Sequence, residues 1–100
     1  MKERWMRMKQ IFEFLEGSQL TVRQITDLLE QSDDIITLNL VDSLLRHYHK
    51  YGYLKRKKEP ISRKFAYILS NKGKKQLIWL EEGKYLNYLI LYQCQTDTHS

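Results

Sequence analysis

Gly52 marks a change of hydrophobic period, and that change constrains the fold of this 100-residue chain more than any one motif. Before it, apolar residues recur at steps of three and four, the spacing of one face of an α-helix; after it come short runs rich in aromatic and β-branched residues, as in strands. Trp5, Met8, Ile11, Phe12 and Leu15 predict a first helix over Arg4 to Glu16, ended by Gly17-Ser18. Thr21 stands where an N-cap should, ahead of a second helix from Val22 to Gln31 that carries Val22, Ile25, Leu28 and Leu29 on one stripe. Ser32-Asp33-Asp34 interrupts the pattern and offers capping side chains for a third helix that runs through Tyr51 and closes at Gly52. Beyond it, YLKRKKE and KFAYILS flank the turn residues Pro60-Ile61-Ser62-Arg63, which predicts a β-hairpin. From about Asn71 the helical period returns, with Gly83 as a possible break. The expected order is three helices, a hairpin, then a C-terminal helix or helix pair, an α+β arrangement.

A chain of this length, with 42% hydrophobic residues and a single proline, suits one core. The expected organisation is a domain over residues 1–82, a C-terminal helical segment over 83–95 and a polar, frayed tail over 96–100. No stretch approaches the roughly 18 apolar residues of a membrane span, and MKERWMRMKQ lacks the apolar run of a secretory signal, so a soluble, cytoplasmic protein without a membrane partner is expected. Cys94 is the only cysteine, which excludes an intrachain disulfide and a Cys-based zinc cluster from one chain. His47 and His49, two apart on a helix, point about 200° away from each other and cannot share a metal. There is no GxGxxG, P-loop, HExxH or spacing that suggests a Ser-His-Asp arrangement. The sequence therefore predicts no enzyme, cofactor or metal site.

Charge supplies the functional signal. Between Lys50 and Lys75 there are ten Lys or Arg and one acid, Glu59, a net charge of +9 in a chain whose total is +5; the rest of the molecule is net acidic. Cations crowded in this way repel one another and mark a face for an anionic partner, nucleic acid first among them. On the third helix, Thr37, Leu38, Val41, Leu44, Leu45 and Tyr48 fall on one side, and Asn39, Ser43, Arg46 and Lys50 fall on the other. Asn and Arg offer paired groups that match base edges, Ser reaches base or phosphate, Lys50 neutralises phosphate, and His47 is a further phosphate-contacting candidate. Any amphipathic helix has a solvated side, and on the helix alone that plain reading is preferred. The hairpin shifts the balance. Lys55, Arg56, Lys57 and Lys58 on one strand, with Arg63 and Lys64 after the turn, place six cations in ten residues. An edge strand that uses lysine against aggregation explains two or three of them, not six beside a basic helix.

Two segments carry a family resemblance. VDSLLRHYHKYGYLKR, residues 41 to 56, looks like a recognition helix followed by glycine, two apolar residues and a first wing strand, and FAYILSNKGKKQL, residues 65 to 77, resembles the pattern Y-x-L-T-x-K-G-R through Tyr67, Leu69, Ser70, Lys72, Gly73 and Lys74. In order and separation they resemble the winged helix-turn-helix domain of MarR, PadR and ArsR type transcriptional regulators, over Trp5 to about Leu80. The resemblance implies that the second helix supports the third, that Asn39, Ser43 and Arg46 face bases, and that the hairpin lies along phosphates or the adjacent minor groove. The stretch from Ile25 to Val41 is some residues longer than the commonest family spacing.

In YLNYLILYQC, Tyr85, Leu89 and Tyr92 form one apolar line of a helix and Leu86, Ile90 and Cys94 another. One small domain covers only one of them, so a homodimer is expected, with Leu86, Leu89, Ile90 and Cys94 near its axis. The expected function is sequence-specific binding of double-stranded DNA in transcriptional regulation. The rivals are a winged helix used as a protein-interaction module and a nonspecific architectural DNA-binding protein.

Overall fold

The computed structural model describes residues 2–32 and 35–83. Among these residues the chain forms four α-helices and one three-stranded antiparallel sheet. Helix α1, Lys2–Leu15, buries Ile11, Phe12 and Leu15 on its inner stripe, and Gly17, at φ 72°, turns the chain in a conformation that side-chain-bearing residues rarely adopt. A two-residue strand β1, Leu20–Thr21, follows. Helix α2, Val22–Glu30, begins with a capping box: Thr21 Oγ1 accepts from the Gln24 N–H at 3.3 Å, and the Gln24 side chain accepts from the Thr21 N–H at 2.9 Å. Ile25 and Leu29 enter the core, and the buried Thr26 hydroxyl donates to the Val22 carbonyl at 2.7 Å.

Helix α3, Leu38–Lys50, starts later than Ser32-Asp33-Asp34 would place it. Thr37 is the N-cap, with its hydroxyl accepting from the Leu40 N–H at 3.2 Å, so it is not part of the helix's apolar face. Leu38 is 43% exposed and likewise leaves that face. The physical reason lies beside the cap: Ile36 and Val41 are both buried, the pair of positions that form a hydrophobic staple around an N-cap, and pulling Ile36 into the core sets the start at Thr37. Ser32 has another use, its hydroxyl donating to the Leu29 carbonyl and accepting from Gln10 Nε2 at 3.1 Å. The extra length between Ile25 and Val41 thus lies in the connection 31–37 and in neither helix.

Strands β2, Leu54–Lys58, and β3, Phe65–Leu69, form the hairpin, and β1 adds to the far side of β3, giving the order β1-β3-β2. The register pairs Leu20 with Tyr67 and Leu54 with Leu69, which directs Tyr67 and Leu69 into a core shared with Phe12, Ile25, Leu45 and Tyr48. Helix α4, Asn71–Glu81, packs on α1, where Trp5 and Trp79 meet edge to face at 5.2 Å.

The residues that match Y-x-L-T-x-K-G-R build a joint between α4, α3 and the hairpin. The Ser70 side chain caps α4 through the Gly73 N–H at 3.0 Å and donates its own proton to the Gly52 carbonyl, while the Ser70 N–H bonds to the Tyr53 carbonyl at 3.0 Å. Lys72 Nζ donates to the Tyr51 carbonyl at 2.6 Å, a cation on the negative end of α3, and lies 4.8 Å from the centre of the Tyr53 ring. Gly73 is required by contact, since a Cβ there would collide with the Tyr53 carbonyl. Gly52 itself, at φ 84°, makes the turn out of α3. None of the helices among the described residues is long and apolar enough to cross a membrane. Leu86, Leu89, Ile90 and Cys94, together with the segment 84–95 and the tail 96–100, lie outside the described residues.

Candidate nucleic-acid interface

With Val41, Leu45 and Tyr48 fixed in the core, the rest of α3 is assigned by rotation. Asn39, Ser43 and Lys50 point away from the core and are exposed. Arg46 is exposed too, but it is turned toward the hairpin, as are Leu38, Asp42 and His49. His47 sits on the other flank, its ring 4.6 Å from that of Tyr51 one turn later. The four-residue ridge read from the sequence is therefore two neighbouring surfaces, one facing outward and one facing the hairpin. Asp42, one turn before Arg46, binds its guanidinium through Nε to Oδ2 at 3.0 Å. This exposed pair offsets the charge of the carboxylate, biases the arginine toward one direction, and leaves the two terminal amino groups to make a fork with a partner.

In the hairpin, the register decides where each cation goes. Arg56 and Lys58 lie opposite Tyr67 and Phe65 on the face turned to α3, and Lys55 and Lys57 lie opposite Ile68 and Ala66 on the other. The Arg56 guanidinium sits 4.3 Å from the centre of the Phe65 ring, which holds this long side chain along the strand. All six hairpin cations are exposed. The one acid of the basic quarter is occupied by the turn: the Glu59 N–H bonds to the Lys64 carbonyl at 2.8 Å, its carbonyl accepts from the Arg63 N–H at 3.0 Å, and its carboxylate accepts from the Ser62 hydroxyl at 2.8 Å. Arg63 adopts φ 55°, in the left-handed region.

These surfaces enclose a cleft of about 710 Å³ between the hairpin, α3 and the start of α2. Five cations line it, Arg23, Arg46, Arg56, Arg63 and Lys64, over an aromatic wall of Phe65 and Tyr67. Its one acid is Asp42, already paired with Arg46. Residues spread from position 23 to position 64 thus bring their positive charge to one concave, solvent-open place, where their summed potential attracts an anion.

Arg23 is the member that sequence reading missed. Its position follows from β1, which pins the start of α2 beside β3, and a two-residue strand leaves no periodicity to read. Among the described residues no group of three or more His, Cys, Asp or Glu side chains could hold a metal ion. Compared with protein-family models and with curated proteins, the chain matches none.

Proposed function

We propose that this protein is a winged helix-turn-helix transcriptional regulator that binds double-stranded DNA at a specific sequence, with α3 in the major groove. The observation that supports this reading best is the shared cleft: Arg46 of α3, Arg23 of α2 and Arg56, Arg63 and Lys64 of the hairpin line the same concavity, where one sugar-phosphate strand would run between major and minor groove. Helix α3 has 13 residues, about 20 Å of length, and its width of about 10–12 Å suits the major groove. Asn39, Ser43 and the Arg46 fork would then meet base edges, and the half-exposed Leu40, on the side away from the cleft, would supply an apolar contact for a thymine methyl group. Lys50 and the hairpin cations would lie on phosphates. The order of helices and strands agrees with the resemblance in residues 41 to 77, and the motif residues there serve the joint that orients the hairpin.

The test is selection from a random duplex library followed by a salt titration on the winning sequence. Binding through six or more phosphates should fall by roughly 10³-fold or more between 50 and 200 mM salt, with a large preference for the selected duplex over random DNA. Equal affinity for both would mean architectural coating, and no affinity for any duplex would leave the cleft to an acidic protein partner.

A further inference from the structure

We propose that Ile61, at the tip of the basic hairpin, is a wedge that enters between base pairs of the minor groove and bends the bound DNA. This rests on the DNA-binding reading and goes beyond it, from occupation of a site to deformation of that site.

Ile61 is 99% exposed, more than any other large apolar side chain among the described residues, and so contributes nothing to its own core. Loop tips ordinarily carry glycine, asparagine, aspartate or serine, whose side chains are content in water. Here the tip is Pro60-Ile61, flanked by Lys58, Arg63 and Lys64. An isolated apolar side chain with three cations within three residues of it, Lys58, Arg63 and Lys64, and one acid, Glu59, tied back by the Ser62 hydroxyl, fits a partner that is anionic outside and apolar within. A duplex has that form, phosphates on both edges of the minor groove and stacked bases beneath, and apolar wedges of Ile, Leu or Pro are a known way to unstack a step and kink the helix.

A wedge must also be stiff, or it folds back before it parts the bases. The tip is closed by the Glu59 N–H to the Lys64 carbonyl, the Arg63 N–H to the Glu59 carbonyl, and the Ser62 hydroxyl to the Glu59 carboxylate. Proline fixes one backbone angle beside Ile61. Arg63 occupies a left-handed position that glycine would fill at lower cost, which keeps a cation at the base of the tip where phosphates would flank the opened step. An anionic bilayer is the other partner with such a profile. One isoleucine is a small anchor, however, and a bilayer would leave the cleft and the polar side of α3 without a role.

The experiment uses the full chain and the duplex recovered by selection, carrying a donor and acceptor dye at its ends and 2-aminopurine at successive steps of the flank. Wild type should raise energy transfer on binding and raise 2-aminopurine fluorescence at one flanking step. Ile61→Ser should lose both signals and bind about tenfold more weakly with an unchanged salt dependence, because no phosphate contact is removed. Ile61→Leu should keep both signals. Wild type that binds tightly without bending or unstacking, or an Ile61→Ser variant that bends DNA as wild type does, would overturn the wedge and leave the DNA reading standing. Failure of wild type to bind any duplex removes both. Sedimentation with phosphatidylserine vesicles that depends on Ile61, with no change in DNA bending, would assign the tip to a membrane surface and overturn the proposal.

Discussion

Arg46 shows how much one neighbouring side chain decides. Alone, it would be an unpaired cation; beside Asp42, which takes its Nε, it is biased in direction and keeps its remaining amino groups for a partner. Arg46→Ala should relax preference at one base pair by about 1–3 kcal/mol. Asp42→Ala should act differently: selectivity at that base pair falls because the arginine is no longer held, while affinity for random DNA rises because a negative charge has left the cleft. Competition between the selected duplex and its single-base variants measures both. Tyr48 gives a second test at this scale. Burial pushes its phenol up to about 12, with the nearby Arg7 and Arg4 charges acting in the opposite direction. In the unfolded chain a tyrosine ionises near pH 10. The unfolded state therefore releases its proton first, so the stabilisation is complete below pH 10 and is lost as pH climbs toward 12. Tyr48→Phe should remove about 2 kcal/mol of that alkaline loss, read by denaturant unfolding at pH 9 and pH 11.5.

Helices α1, α2 and α4 and both hairpin strands were legible because each has a local signal: apolar residues at helical spacing, Thr21 and Gly17 at helix ends, and a proline turn between aromatic-rich runs. Two features were not. β1 is two residues long, and only its pairing with β3 makes it a strand. The start of α3 depends on burial of Ile36, a tertiary contact that outweighs the capping tendency of Ser32-Asp33-Asp34. The joint at Ser70, Lys72 and Gly73 lies between these cases, since its residues stood out in sequence while their task appeared only in three dimensions. Gly73→Ala should destabilise the fold by about 1–3 kcal/mol, because the added methyl meets backbone and not a movable side chain. A urea melt with an unchanged slope would show that expected loss.

At the scale of the molecule, the charge count showed that a basic face exists, but not its shape. Six hairpin cations were evident as a run; that Arg56, Arg63 and Lys64 meet Arg46 and Arg23 across a cleft, with Lys55 and Lys57 on the other face, required the strand register and the placement of α2. A two-fold pair of such domains would read half-sites roughly 34 Å apart. Sedimentation at micromolar concentration should give twice the chain mass, and a monomer would remove the expectation of a near-palindromic site. The joint that ties Gly52 and Tyr53 to α4 has a consequence for duplex type. If it binds a duplex as proposed, a hairpin tied at its root would make the protein a caliper that gauges the object it grips. A-form RNA, whose major groove is deep and closed to a helix, is the wrong gauge and should be refused whatever its bases spell.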